Sequence, residues 1–156
     1  MTRIINTYGQ LLVTAMGQTL LLALYGLFFA CIIGMIVGIM SVLESRVCRA
    51  IAAVFVNLIR GVPMIVLAYF IFFGVPYFCN TILGIGGLTL TALQAGSICL
   101  ALNCGAYMAE IIRAGIESVD VGQMEAARSL GLPWWRSMYR VVMPQAIRTM
   151  IPSIIN

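Results

Sequence analysis

Residues 17–42 read GQTLLLALYGLFFACIIGMIVGIMSV, a stretch without a single charge. An α-helix rises 1.5 Å per residue, so about 20 apolar residues cross the hydrocarbon of a bilayer. The stretch is long enough for one membrane span and too long for the core of a signal peptide. It lies in a larger charge-free run between Arg3 and Glu44, whose beginning carries the polar lead-in Asn6, Thr7, Tyr8, Gly9 and Gln10. Within it Gly26, Ala30, Gly34 and Gly38 recur every four residues. That spacing of small residues lets a second helix approach closely; the plainer reading is that glycine is simply frequent in membrane helices.

The rest of the chain follows the same logic. Of 156 residues, 62% are apolar and 9% charged, against about a quarter charged in soluble domains. A second charge-free run separates Arg60 from Glu110, interrupted by Gly74-Val75-Pro76 and by Gly84-Ile85-Gly86-Gly87, turn chemistry that a continuous helix tolerates poorly. The pattern predicts a helical hairpin with arms over 49–73 and 88–112. The fold class expected is all-α: a polytopic helical membrane protein with three full spans (17–42, 49–73, 88–112), a cytoplasmic loop over 113–143, and the start of a fourth span at 144–156. From Met150 only seven residues remain, too few to cross a bilayer, so the sequence reads as a single membrane domain cut short.

All nine cations are arginines. With the amino terminus outside, Arg3 alone lies on the outer side, while Arg46, Arg49, Arg113, Arg128, Arg136, Arg140 and Arg148 fall inside. The positive-inside bias therefore predicts an outside amino terminus and a cytoplasmic 113–148 segment. The net charge of +4 reports this topology; no basic stripe interleaved with aromatics points to nucleic acid. Histidine and lysine are absent, which removes the commonest general base and metal ligand and rules out a Gly-x-x-x-x-Gly-Lys phosphate loop in this chain. The five cysteines form no Cys-x-x-Cys pair, and four of them lie in apolar runs where a thiol reads as a small hydrophobe. No catalytic residue, metal ligand or cofactor is expected.

Inside the cytoplasmic segment, Val121 to Leu130 suit a short helix, with Asp120 as N-cap, Gly131 just past its end and Pro133 beyond. So short a helix is unstable alone in water. Either a partner holds it, or it lies on the lipid headgroups, anchored by Trp134, Trp135, Arg128, Arg136 and Arg140.

Glu125-Ala126-Ala127, followed by Gly131 and Pro144, resembles the EAA loop of bacterial ATP-binding-cassette importer permeases. The flanking Arg60-Gly61-Val62-Pro63, Ala106-Tyr107-Met108-Ala109-Glu110-Ile111-Ile112-Arg113, Gly115-Ile116, Gly122-Gln123 and Pro144-Gln145-Ala146-Ile147-Arg148 are similar to the polar-amino-acid uptake branch. The resemblance implies that residues 120–144 couple to an ATPase through Gly122, Gln123, Glu125, Ala126, Ala127, Gly131 and Pro144. It further implies an ATPase subunit carrying ATP and magnesium, a second permease subunit, identical or different, and an extracytoplasmic amino-acid-binding protein. The location implied is a bacterial cell membrane, with lipid around the spans. Such permeases usually have five spans, so this chain would lack most of the fourth and all of the fifth.

Ionisable groups within spans are the natural candidates for a transport path. Arg60, beside the Gly61-Val62-Pro63 break, can meet a substrate carboxylate with a forked pair of hydrogen bonds, or can be a structural partner of Glu110 or of freed carbonyls. Asn103, Tyr107 and Glu110 are spaced i, i+4, i+7, one face of a helix; they line a polar path or bind helices together. A reading from another class stands beside this one: a small helical assembly or accessory membrane protein, with a basic cytoplasmic loop and no transport of its own.

Overall fold

A computed structural model of the chain describes residues 2–84 and 86–155, and side chains from Tyr8 onward. Ile85, Asn156 and the side chain of Arg3, the one cation expected outside, lie outside the described residues. Every regular element among the described residues is helical. Three helices are long and apolar enough to cross a membrane, Tyr8–Val42, Met64–Thr81 and Ala92–Glu117.

The first helix, α1, runs over Thr2–Val42 and so begins well before the span expected at 17. No proline precedes residue 17 to stop it, and its hydroxyls turn back onto its own backbone: Thr14 Oγ1 donates to the Gln10 carbonyl and Thr19 Oγ1 to that of Ala15, both at 2.9 Å.

Where one arm was expected over 49–73, two helices stand. The first, α2 (Arg46–Gly61), is capped by Ser45 and buries Ala52, Val56 and Ile59 along one face. Val62 and Pro63 then adopt extended ψ values of 130° and 136°. Proline lacks the N–H for the helical ladder and its ring drives the preceding residue out of the α region, so the chain breaks here. It restarts as α3 (Met64–Tyr69), widens into a π turn at Phe70–Gly74 and continues as α4 (Val75–Thr81). The helix thus passes through Gly74-Val75-Pro76, where the sequence suggested an interruption. A π turn absorbs the residue whose hydrogen bond Pro76 cannot make.

The turn of the hairpin falls at 82–91. Asn80 closes it, donating from Nδ2 to the Leu88 carbonyl and accepting at Oδ1 from the Leu88 N–H, both at 2.9 Å. Gly84 and Gly87 supply positive φ there. Helix α5 (Ala92–Glu117) starts four residues later than the expected arm, at a capping box: the Gln94 N–H donates to Thr91 Oγ1 and the Thr91 N–H to Gln94 Oε1.

The loop expected over 113–143 is largely helical: the end of α5, then α6 (Val121–Ser129), α7 (Trp134–Ser137) and a π turn at Met138–Val142 leading into α8 (Met143–Ile155). This second π turn also ends two residues before a proline, Pro144. Helix α8 packs back on the end of α5 through Ile112, Ile116, Val142, Ala146 and Met150.

The main packing interface joins α1 to α5, and the small-residue stripe forms it. Ala30 is fully buried. A methyl group at Gly38 would come within 2.8 Å of Ile112 Cβ and 3.2 Å of the Ala109 carbonyl oxygen; one at Gly34 would meet Met108 and the Gly105 carbonyl. The reverse side of α1 leaves Leu20, Leu24, Leu27 and Phe28 exposed, as suits a surface bathed in lipid. Gly38→Val is therefore expected to destabilise the protein by about 1–3 kcal/mol through overpacking, read as a lowered Tm in detergent. Gly17→Val, where an added methyl group meets nothing within 4 Å, should leave Tm unchanged.

Candidate functional site

Two groups of the candidate residues stand out, one where α2 meets α5 and one on the loop; Arg60, expected within a span, falls on α2, outside the three helices long and apolar enough to cross a membrane. The first gathers at the end of α2. Arg60 occupies the last turn before the Val62–Pro63 break, and its guanidinium carbon lies 4.9 Å from the centre of the Tyr107 ring on α5, within cation–π range. Its Nη1 is 3.9 Å from Glu110 Oε2. The structure thus brings Arg60, Tyr107 and Glu110 together, with Asn103 one turn further along α5.

The main partner of Glu110 is a residue that the sequence reading had not singled out. Arg113 donates from Nη2 to Glu110 Oε1 at 2.6 Å and from Nε to Oε2 at 3.3 Å, and from Nη1 to Glu117 Oε2 at 2.6 Å. The signal was present in the i,i+3 and i,i+4 spacings of Glu110, Arg113 and Glu117. With the Glu110 oxygens engaged by Arg113, the Arg60 contact is the long one. Most of its five donors therefore remain available to an anion.

These side chains are roughly one-third exposed. Glu110 and Arg113, with Arg49, Asn57, Ser41 and Glu117, line a cleft of about 340 Å³ between α1, α2 and α5. A larger groove of about 640 Å³, lined by Leu58, Val62, Phe70 and neighbours, is wholly apolar. Charge converges only on the first of the two. The break itself is pinned from α5, where the buried Cys99 thiol donates weakly to the Met64 carbonyl at 3.7 Å.

The second group is the loop. Asp120 Oδ1 accepts from the Gly122 N–H at 2.6 Å, capping α6. At the other end the Leu132 N–H bonds the Ala127 carbonyl and the Gly131 N–H that of Arg128, at 3.3 and 2.9 Å. Gly131 has φ +81°. This is the paired-bond Schellman ending, which needs a left-handed residue just past the helix.

Helix α6 is seated on its own chain. Ala127 is 5% exposed, Met124 packs against the Val142–Ala146 cluster, and Gln145 Nε2 reaches Gln123 Oε1 at 3.4 Å. Arg128 makes an exposed ion pair with Glu44 at 3.6 Å. At 100° per residue the opposite side presents Gly122, Glu125, Ala126 and Ser129, all exposed. The two alanines thus part company, Ala126 facing out while Ala127 is buried on the side of α6 that packs against α7 and the π turn at Met138–Val142. Ser129 Oγ donates to the Glu125 backbone carbonyl at 3.0 Å, and the Glu125 carboxylate makes no ion pair among the described residues. Pro144 lies on α8, exposed and away from this face; its effect is on the π turn before it.

Comparison with known proteins adds the following. The profile of the family described as binding-protein-dependent transport system inner membrane component matches residues 30–156. The chain is 35% identical over 144 residues to the probable amino-acid ABC transporter permease protein YckA of Bacillus subtilis (strain 168), covering 92% of this chain and 60% of that protein. It is 35% identical over 139 residues to the probable glutamine ABC transporter permease protein GlnM of the same organism, covering 89% and 61%. A crystal structure of an amino acid ABC transporter with histidines is 34% identical and superposes with a TM-score of 0.78, over 96% of this chain and 66% of that one. The chain therefore shares the fold of that structure and spans about 60% of the length of these curated relatives.

Gly131→Ala is expected to cost about 1–2 kcal/mol, the strain of a left-handed alanine. Amide exchange over 121–130 should accelerate accordingly, with the spans unaffected.

Proposed function

This chain belongs to the family of binding-protein-dependent transport system inner membrane components, and from that membership we propose that it is part of the membrane-spanning permease subunit of an ATP-driven amino-acid importer. The observation that carries the proposal is the outward face of α6. Gly122, Ala126 and Ser129 keep that face slim, so that a partner's backbone can approach closely, and Glu125 offers one unpaired carboxylate to a cation or helix amino terminus of the partner. The caps at Asp120 and Gly131 and the seat on α8 make it a rigid element through which motion passes into the spans.

Energy comes from elsewhere. The chain has no lysine and hence no phosphate-loop lysine; on the family reading, ATP and magnesium belong to a separate ATPase subunit and this chain serves as the membrane conduit. The same reading supplies a second permease subunit, identical or different, and an extracytoplasmic binding protein that delivers substrate. The arginine distribution supports an outside amino terminus and a cytoplasmic 113–148 segment. The names of the relatives support amino acids as the substrate class.

Between α2 and α5, Arg60 meets the substrate carboxylate from the helix break, using the donors that Glu110 leaves open. Tyr107, Glu110 and Asn103 border the path on α5. Glu110 stays ion-paired to Arg113 and holds Arg60 over the Tyr107 ring.

Two substitutions test this in proteoliposomes containing the full permease, its ATPase and its binding protein. Glu125→Lys is expected to lower ATP-driven uptake by roughly tenfold or more, the loss of one hydrogen bond to a charged group, with the permease still inserted; unchanged uptake would remove the coupling role. Arg60→Ala should weaken uptake to a similar degree with the complex intact. Loss of the complex would instead assign Arg60 a structural role.

A further inference from the structure

The five acids of the chain are nearly all engaged. Glu44 pairs with Arg128, Glu110 and Glu117 with Arg113, and Asp120 caps α6; Glu125 lies on the face assigned to the ATPase. Arg136, Arg140 and Arg148 have no acidic partner among the described residues, and all three are exposed. They stand on the continuous helical stretch 134–155, whose buried side is Ser137, Val142, Ala146 and Met150.

The exposed side of that stretch changes character along its length. It begins with Trp135 and Tyr139, 63% and 77% exposed, beside Arg136 and Arg140. It ends with Ile147, Ile151 and Ile154, each close to half exposed, with Arg148 at the boundary. Aromatic rings with basic side chains followed by aliphatic ones is the order met on passing from water through the headgroups into hydrocarbon. A water-soluble subunit could cover the basic part of this surface, but the isoleucines one and two turns further on ask for acyl chains.

We propose that Arg136, Arg140 and Arg148, with Trp135 and Tyr139, form a binding site for an anionic phospholipid. Arg136 and Arg140, one turn apart, take the phosphate in forked hydrogen bonds, with Trp135 and Tyr139 at the same headgroup level; the acyl chains run along Ile147, Ile151 and Ile154, and Arg148, on the order of 12 Å further along the helix, reaches back toward the headgroups. The lipid thereby braces the stretch on which α6 is seated, so the headgroup composition of the inner leaflet bears on the geometry of the loop. The site does not depend on the transport reading, since it needs only a chain that crosses the membrane.

The test is native mass spectrometry of the full permease in detergent, titrated separately with phosphatidylglycerol and phosphatidylcholine. The wild-type protein is expected to retain phosphatidylglycerol in preference. The variant R136Q/R140Q/R148Q should lose that preference, affinity falling about fivefold for each arginine removed. R136K/R140K/R148K keeps the charge and should retain most of it, which separates loss of the site from loss of folding. Equal retention of the two lipids by the wild-type protein, or an unchanged preference in the glutamine variant, would overturn the proposal. So would a glutamine variant that keeps its lipid and instead loses copurifying ATPase, because the surface would then belong to a protein partner.

Discussion

The approach of α1 to α5 is the contact on which the rest of the structure depends. Between two apolar helices in lipid there is little hydrophobic driving force, so close van der Waals packing must hold them. Gly26, Ala30, Gly34 and Gly38 allow α1 to lie against Leu100, Gly105, Met108 and Ile112. Once α5 is fixed in this way, Tyr107, Glu110 and Arg113 are turned toward α2, where Arg60 waits at the helix break. The lower end of α5 then offers Ile112 and Ile116 to α8, and α8 in turn carries α6.

Three prolines show how one residue type gives different outcomes in different surroundings. Pro63 follows a glycine and valine at the end of an amphipathic helix and produces a full break, with both flanking ends used: Arg60 on one side and the Met64 carbonyl, bound by Cys99, on the other. Pro76 and Pro144 sit inside helices that continue, each two residues past a π turn. In lipid an unsatisfied backbone group is expensive, and a π turn keeps the ladder nearly complete where a break would not. The sequence alone treats all three as punctuation. Whether a helix ends or widens is decided by what packs against it.

Local chemistry was therefore the most legible. Charge-free length pointed to three apolar spans, although the second falls over 64–81 and not 49–73, and the four-residue recurrence of small side chains identified the face that α1 buries. The caps of α6, Asp120 and Gly131, were readable because a cap is a bond between near neighbours in the chain. What the sequence did not convey was direction. Ala126 and Ala127 look alike on paper, and only the packing of α6 on the segment that follows it, α7 and the π turn at Met138–Val142, makes one of them inward and the other outward. Arg113 was overlooked because Glu110 was read as the partner of an intramembrane arginine across the fold, whereas an arginine one turn away on the same helix reaches it with less reorganisation. The ladder Glu117, Arg113, Glu110 and Arg60 that results runs from the end of α5 to the helix break.

The central claim is that the outward face of α6 is the contact for an ATPase. It is tested most directly with cysteine substitutions at Ala126 and Ala127 in the full permease. Each is exposed to a maleimide with and without the ATPase subunit, and labelling is read peptide by peptide by mass spectrometry. The account predicts that the cysteine at 126 labels readily in the permease alone and is shielded when the ATPase is present, while the one at 127 is unreactive in both. Equal labelling at 126 with and without the ATPase would contradict it.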